Sequence, residues 1–83
     1  MDEKFVALKL AEECNELAAI LIQYYIFGRK TDSRVAQEMG DVTAWLEKMK
    51  EITGPEKVDK AAKEKRAVIR GFESGKIPIV MNP

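Results

Sequence analysis

The chain has no histidine and a single cysteine, Cys14. One cysteine cannot close an internal disulfide, and without histidine no Cys/His zinc pattern can form. The same absence rules out the Glu-x-x-His pairs on which four-helix carboxylate di-iron sites depend. Net charge is also missing, since Lys+Arg and Asp+Glu both number 14. A nucleic-acid binder usually carries a basic excess, so no nucleic-acid partner is expected. The longest apolar stretch, Leu17 to Phe27, is broken by Gln23 and falls short of the ~20 residues needed to cross a bilayer. Asp2 and Glu3 stand where a secretory signal would be basic. A cytoplasmic protein with a reduced Cys14 and no membrane partner is the expectation.

The length of 83 residues allows one small domain, spanning 1–83. Below roughly 70–80 residues a single core supplies only about 3–5 kcal/mol, so this chain sits near the margin. The 46% hydrophobic content is that of a globular protein rather than a disordered one. With no disulfide or zinc to help, a homodimer or homotetramer is the expected remedy.

Acids, by contrast, are present in a pattern. Five fall into two clusters, Glu12-Glu13-Cys14-Asn15-Glu16 and Glu38-Met39-Gly40-Asp41. Carboxylates at i and i+3 or i+4 share a helix face, so each cluster aims at least two acids one way. Packed together without a counter-charge they would repel, and desolvation would sharpen the conflict. A divalent cation removes it, because hard oxygen ligands suit Mg²⁺ or Mn²⁺.

The periodicity predicts an all-α protein: helices over about 3–27, 32–53 and 55–74, then a non-helical tail over 75–83. In the first helix Val6, Leu10, Glu13, Leu17, Ile20 and Tyr24 alternate steps of four and three, one face of a helix. Glu13 interrupts that apolar row. A lone Glu there would reach past its neighbours to water, but Glu12 and Glu16 beside it point to a site. Gly28 is a candidate C-terminal cap, and Thr31, Asp32 and Ser33 are candidate N-caps for the second helix. The second helix shows an apolar row of Val35, Met39, Val42, Leu46 and Met49, with Glu38 and Asp41 flanking it. Gly40 between them either lets a facing helix or ligand approach closely or is incidental. Gly54-Pro55 is a stop-start signal. The third helix carries a thin apolar stripe of Val58, Ala61, Ala62, Lys65, Val68, Ile69 and Phe72, alongside a basic run from Lys57 to Arg70. The helices are expected to complete a four-helix-bundle type of packing between subunits.

At these residues the chain resembles the MazG-like nucleotide pyrophosphohydrolases, whose motif is E-E-x-x-E followed by E-x-x-D. Glu12, Glu13 and Glu16 fit the first half; Glu38 and Asp41 fit the second. Phe27-Gly28 resembles the F-G pair that small members carry after the first helix. Lys63, Arg66 and Arg70 approximate the K-x-x-N-x-x-x-R pattern of their third helix, with Arg66 standing where many relatives have Asn. Basic residues often found before the F-G pair are replaced here by Gln23, Tyr24, Tyr25 and Ile26.

The resemblance implies Mg²⁺-dependent hydrolysis of a nucleoside triphosphate between the α- and β-phosphates, giving monophosphate and pyrophosphate. It makes Glu13, Glu16, Glu38 and Asp41 the metal ligands and gives Glu12 the attacking water. Lys63, Arg66 and Arg70 would meet phosphate, although most basic runs are simply solvated faces. Trp45, one turn beyond Asp41, either stacks on a base or packs in the core, and Tyr24 and Tyr25 share that ambiguity. Alternatives are a phosphoribosyl-ATP-type pyrophosphohydrolase of the same fold, or a non-catalytic helical oligomerisation module whose acids are surface charges.

Overall fold

The computed structural model describes residues 1–29 and 34–81, and every regular element among them is helical. The chain divides into two compact units, Met1–Ile52 and Thr53–Pro83.

In the first unit, α1 spans Glu3–Leu21. Asp2 caps it: the backbone there is extended, and the carboxylate accepts a 2.7 Å hydrogen bond from the Lys4 N–H. The side chain thus satisfies one of the donors that a helix start leaves orphaned. Val6 and Ile20 are buried and Leu10, Glu13, Leu17 and Tyr24 are half-buried, so the row read from the sequence is the packed row.

The helix does not run regularly to Phe27. Ile22–Ile26 form a π-helical turn, closed by the Phe27 N–H donating to the Ile22 carbonyl at 3.1 Å. The extra residue in this turn shifts the register, and Tyr25, Ile26 and Phe27 all face solvent. Tyr24 and Tyr25 meet edge to face, with ring centroids 4.6 Å apart.

The second helix, α2, spans Arg34–Thr53; the candidate caps Thr31, Asp32 and Ser33 lie outside the described residues. Its packed face differs from the sequence expectation. Met39 and Leu46 are 52% and 48% exposed, whereas Glu38 is 8% exposed and Trp45 half-buried. The inward row is Val35, Glu38, Val42, Trp45, Met49 and Ile52, again alternating threes and fours. Phe5 meets Trp45 edge to face at 5.9 Å, and Glu13 meets Glu38 and Asp41. Early residues of α1 thus lie against late residues of α2, and the two helices form an antiparallel hairpin.

In the second unit, α3 spans Pro55–Glu73. Gly54 precedes it at φ 115°, a conformation that L side chains rarely adopt, and Pro55 opens the helix where no N–H is needed. Val58 and Ala62 are half-buried, while Val68, Ile69 and Phe72 at the far end of the stripe remain exposed. After Glu73 the chain turns back. The Ile77 N–H donates to the Gly71 carbonyl at 3.0 Å, and the Ile77 side chain lies over Gly71. A Cβ on Gly71 would fall 2.5 Å from Ile77 Cδ1, so the Ile77 side chain takes up space that glycine leaves and would have to shift to admit a methyl. No described helix is long and apolar enough to cross a membrane.

Candidate metal centre

The antiparallel hairpin brings Glu13 of α1 opposite Glu38 and Asp41 of α2. Each offers one carboxylate oxygen, and these three oxygens lie within 4.8 Å of one another. The rotation of α2 that exposes Met39 is what turns Glu38 inward. The sequence placed Glu38 at the edge of the packed face; the fold puts it in the middle.

Burial makes this arrangement costly. Glu13 Oε2 and Glu38 Oε2 are both buried and have no hydrogen-bond partner. Buried acceptors are almost always paired, so two orphans facing each other across a helix pair need a reason. Desolvation is the main cause that raises the Glu13 carboxyl above its ordinary value; the negative charges of Glu16, Asp41 and Glu38 and a side-chain hydrogen bond with Glu16 add to it. For Glu38 desolvation again leads, followed by a side-chain hydrogen bond with Glu16 and the charges of Glu16 and Asp41. Arg34, one turn earlier on α2, works the other way without cancelling the rise. Two carboxyls therefore resist ionisation, chiefly because burial disfavours their charged forms and the neighbouring acids repel them.

Those features fit a divalent cation. The donors are hard oxygens, they converge from two helices, and Glu13 and Glu38 each keep one buried oxygen without a hydrogen-bond partner. Glu16 is exposed, outside the tight trio, yet close enough for its charge to act on both Glu13 and Glu38. Glu12 points elsewhere: it is exposed and its Oε2 accepts from Lys9 Nζ at 3.3 Å. Among the described residues a Cβ on Gly40 would meet nothing within 4 Å. Trp45 packs against Phe5 in the hairpin.

Lys63, Arg66 and Arg70 lie on α3 in the second unit, all exposed. Lys63 and Arg70 line a shallow surface groove with Lys60, Glu64 and Ala67, and Arg66 does not reach it. Sequence reasoning left Trp45 open between base stacking and the core, and did not put it in the packed row of α2. A signal was present, since Trp45 extends the Val35-Glu38-Val42 alternation, but the competing Met39-Leu46 row masked it. Comparison with protein-family models, with curated proteins and with solved structures finds no match.

Proposed function

We propose that this chain is a metal-dependent nucleoside triphosphate pyrophosphohydrolase, working as a cytoplasmic homo-oligomer and cleaving between the α- and β-phosphates. The pair of buried, unpartnered oxygens on Glu13 and Glu38 carries the metal part of this reading. The two acidic motifs and the basic third helix carry the substrate part, through the resemblance described above.

In this reading Glu13, Glu38 and Asp41 hold the cation, and Glu16 stands beside them as a fourth acid. When bound, Mg²⁺ or Mn²⁺ supplies charge neutralisation for the triphosphate and acidifies water. Glu12 takes the proton of the attacking water at a carboxylate oxygen. Its partner Lys9 is an exposed neighbour one turn away, and such pairs cost little to open. Lys63 and Arg70 offset phosphate charge, with Arg66 adding a charge contact. Trp45 serves the fold through Phe5, so base stacking is left to other groups. A surface-charge module is disfavoured because acids placed only for solubility would not leave buried oxygens unsatisfied.

The test is a screen of nucleoside triphosphates with Mg²⁺, products being identified by chromatography. Monophosphate and pyrophosphate in equal amounts are expected from at least one substrate. Inertness toward all of them, in protein whose melting temperature does rise with Mg²⁺, would remove the hydrolase and leave the metal centre.

A further inference from the structure

The second unit is the basic part of a neutral chain. From Thr53 onward it carries seven lysines and arginines against four acids. On α3 several of these cations are aligned. Lys60, Lys63, Ala67, Arg70 and Ser74 follow steps of three and four, so they share one face of the helix. Ala67, the small member at the middle of that row, leaves a depression between Lys63 and Arg70. Two shallow grooves lie along this face. One is lined by Lys60, Lys63, Glu64, Ala67 and Arg70, the other by Ala67, Arg70, Gly71, Ser74 and Lys76. They share Ala67 and Arg70, which makes them one continuous groove with Arg70 near its centre.

The last cation reaches this groove through the tail. Continued as a helix, the chain would carry Lys76 about 9 Å beyond Arg70 along the axis. It turns back instead. Gly75 adopts φ 80°, and the Ile77 N–H donates to the Gly71 carbonyl at 3.0 Å. The Ile77 side chain fills the space that Gly71 leaves open. Lys76 is thereby held in the same groove as Arg70.

Like charges held side by side repel, and a return that adds a cation beside Arg70 calls for an offset. The C-terminal end of α3 offers one in principle, because its carbonyls carry partial negative charge. That end is already capped, however. The carbonyls of Arg70, Gly71 and Phe72 accept from the N–H groups of Ser74, Ile77 and Gly75 respectively. Among the described residues lining the groove, Glu64 is the single acid, and it sits toward the Lys60 end.

An anion is the missing counter-charge, and the groove's length says what kind. Lys60 to Arg70 alone spans about 15 Å of helix, more than a single phosphate or carboxylate group needs. Lysine and arginine N–H groups can each donate to several oxygens, which suits a chain of linked phosphates. We infer that Lys60 and Lys76 join Lys63 and Arg70 in binding a phosphoanhydride chain along this groove, without help from a cation, an inference that rests on the phosphate role proposed for Lys63 and Arg70. Lys76 is the residue that the tail's return adds to the set.

Calorimetric titration of the full chain with sodium tripolyphosphate, in chelator and at low salt, tests it. Wild-type protein should bind, with an affinity that falls as salt rises. Lys76 is exposed, so Lys76→Gln should leave the melting temperature unchanged yet weaken binding about tenfold, the loss of one charge-assisted contact. Lys76→Arg should keep the affinity. Lys65→Gln removes the same charge from α3 outside the groove and should bind like wild type. Equal weakening by Lys65→Gln and Lys76→Gln would mean diffuse surface charge and overturn the inference. So would unchanged binding in Lys76→Gln, or wild-type protein that takes up no tripolyphosphate. ATP titrated the same way separates two sources of the chain, and either supports the groove: tighter binding than tripolyphosphate points to a nucleotide, equal or weaker binding to free polyphosphate. Hydrolysis is scored separately. A chain that binds tripolyphosphate but cleaves no nucleoside triphosphate keeps the groove and loses the hydrolase; one that cleaves with Mg²⁺ but binds nothing in chelator does the reverse.

Discussion

At the scale of single residues, the molecule turns on Glu38. Its carboxyl and that of Glu13 are raised above the ordinary value of 4.5, first by desolvation and then by neighbouring acids. Just above that ordinary value the folded state binds more protons than the unfolded state. Stability of the metal-free protein should therefore be fully present below it and fall as pH rises through the higher folded-state values. Thermal melts in chelator across this range would check the sign, and a stability that climbed with pH would contradict the cluster. The same reasoning gives an unusual expectation for Glu38→Gln. Removing a buried, uncompensated charge should raise the melting temperature in chelator at neutral pH while abolishing the rise that Mg²⁺ produces, since cation binding stabilises only what can bind it. Glu12→Gln should behave differently. Its carboxylate is exposed and paired with Lys9, so the Mg²⁺ shift should survive while turnover falls by the ~10²–10⁴-fold typical of general-base assistance. Loss of the shift in Glu12→Gln would move that residue into the ligand shell.

At the scale of the elements, local chemistry fixes some boundaries and leaves others open. Gly54-Pro55 marks the break between α2 and α3 unambiguously, because a positive φ and a missing N–H leave few alternatives. The packed row of α1 is equally legible, having no rival with as many large apolar members. The face of α2 is not. Two rows share Val35, Val42 and Met49; one adds Met39 and Leu46, the other Glu38, Trp45 and Ile52. Only the partner helix decides between them, and Phe5 and Glu13 on α1 select the row containing Trp45 and Glu38. The π turn was hidden for a related reason: Ile22–Ile26 is an apolar run compatible with an ordinary helix, and nothing in its pattern specifies the extra residue. Gly40 gives an element-scale prediction. It lies inside α2 with open space where a Cβ would go, so Gly40→Ala should stabilise the protein by about 1 kcal/mol in denaturant unfolding. A destabilisation would mean that something approaches Gly40 in the assembled protein. Gly71→Ala is the opposite case, because the new methyl displaces Ile77 and should free the tail to proteolysis without melting α3.

At the scale of the whole molecule, the first unit carries two unsolved problems. One is electrostatic, the clustered acids Glu13, Glu38 and Asp41; the other is hydrophobic, the exposed apolar side chains of α1 and α2 such as Leu8, Leu21, Met39 and Leu46. In the proposed reading each is relieved by a different ligand, a cation in the first case and a second copy of the chain in the second. Both ligands bind the folded state, so both should raise the melting temperature by mass action, one with Mg²⁺ concentration and the other with protein concentration. Sites without shared partners usually contribute additively. The Mg²⁺-induced shift should then be nearly the same in dilute and concentrated protein. Thermal melts over a grid of protein and Mg²⁺ concentrations measure this directly. Parallel curves are expected. A Mg²⁺ shift that vanishes on dilution would show that the second copy completes the acid site, and the cation would then have to sit at a subunit boundary rather than within the hairpin.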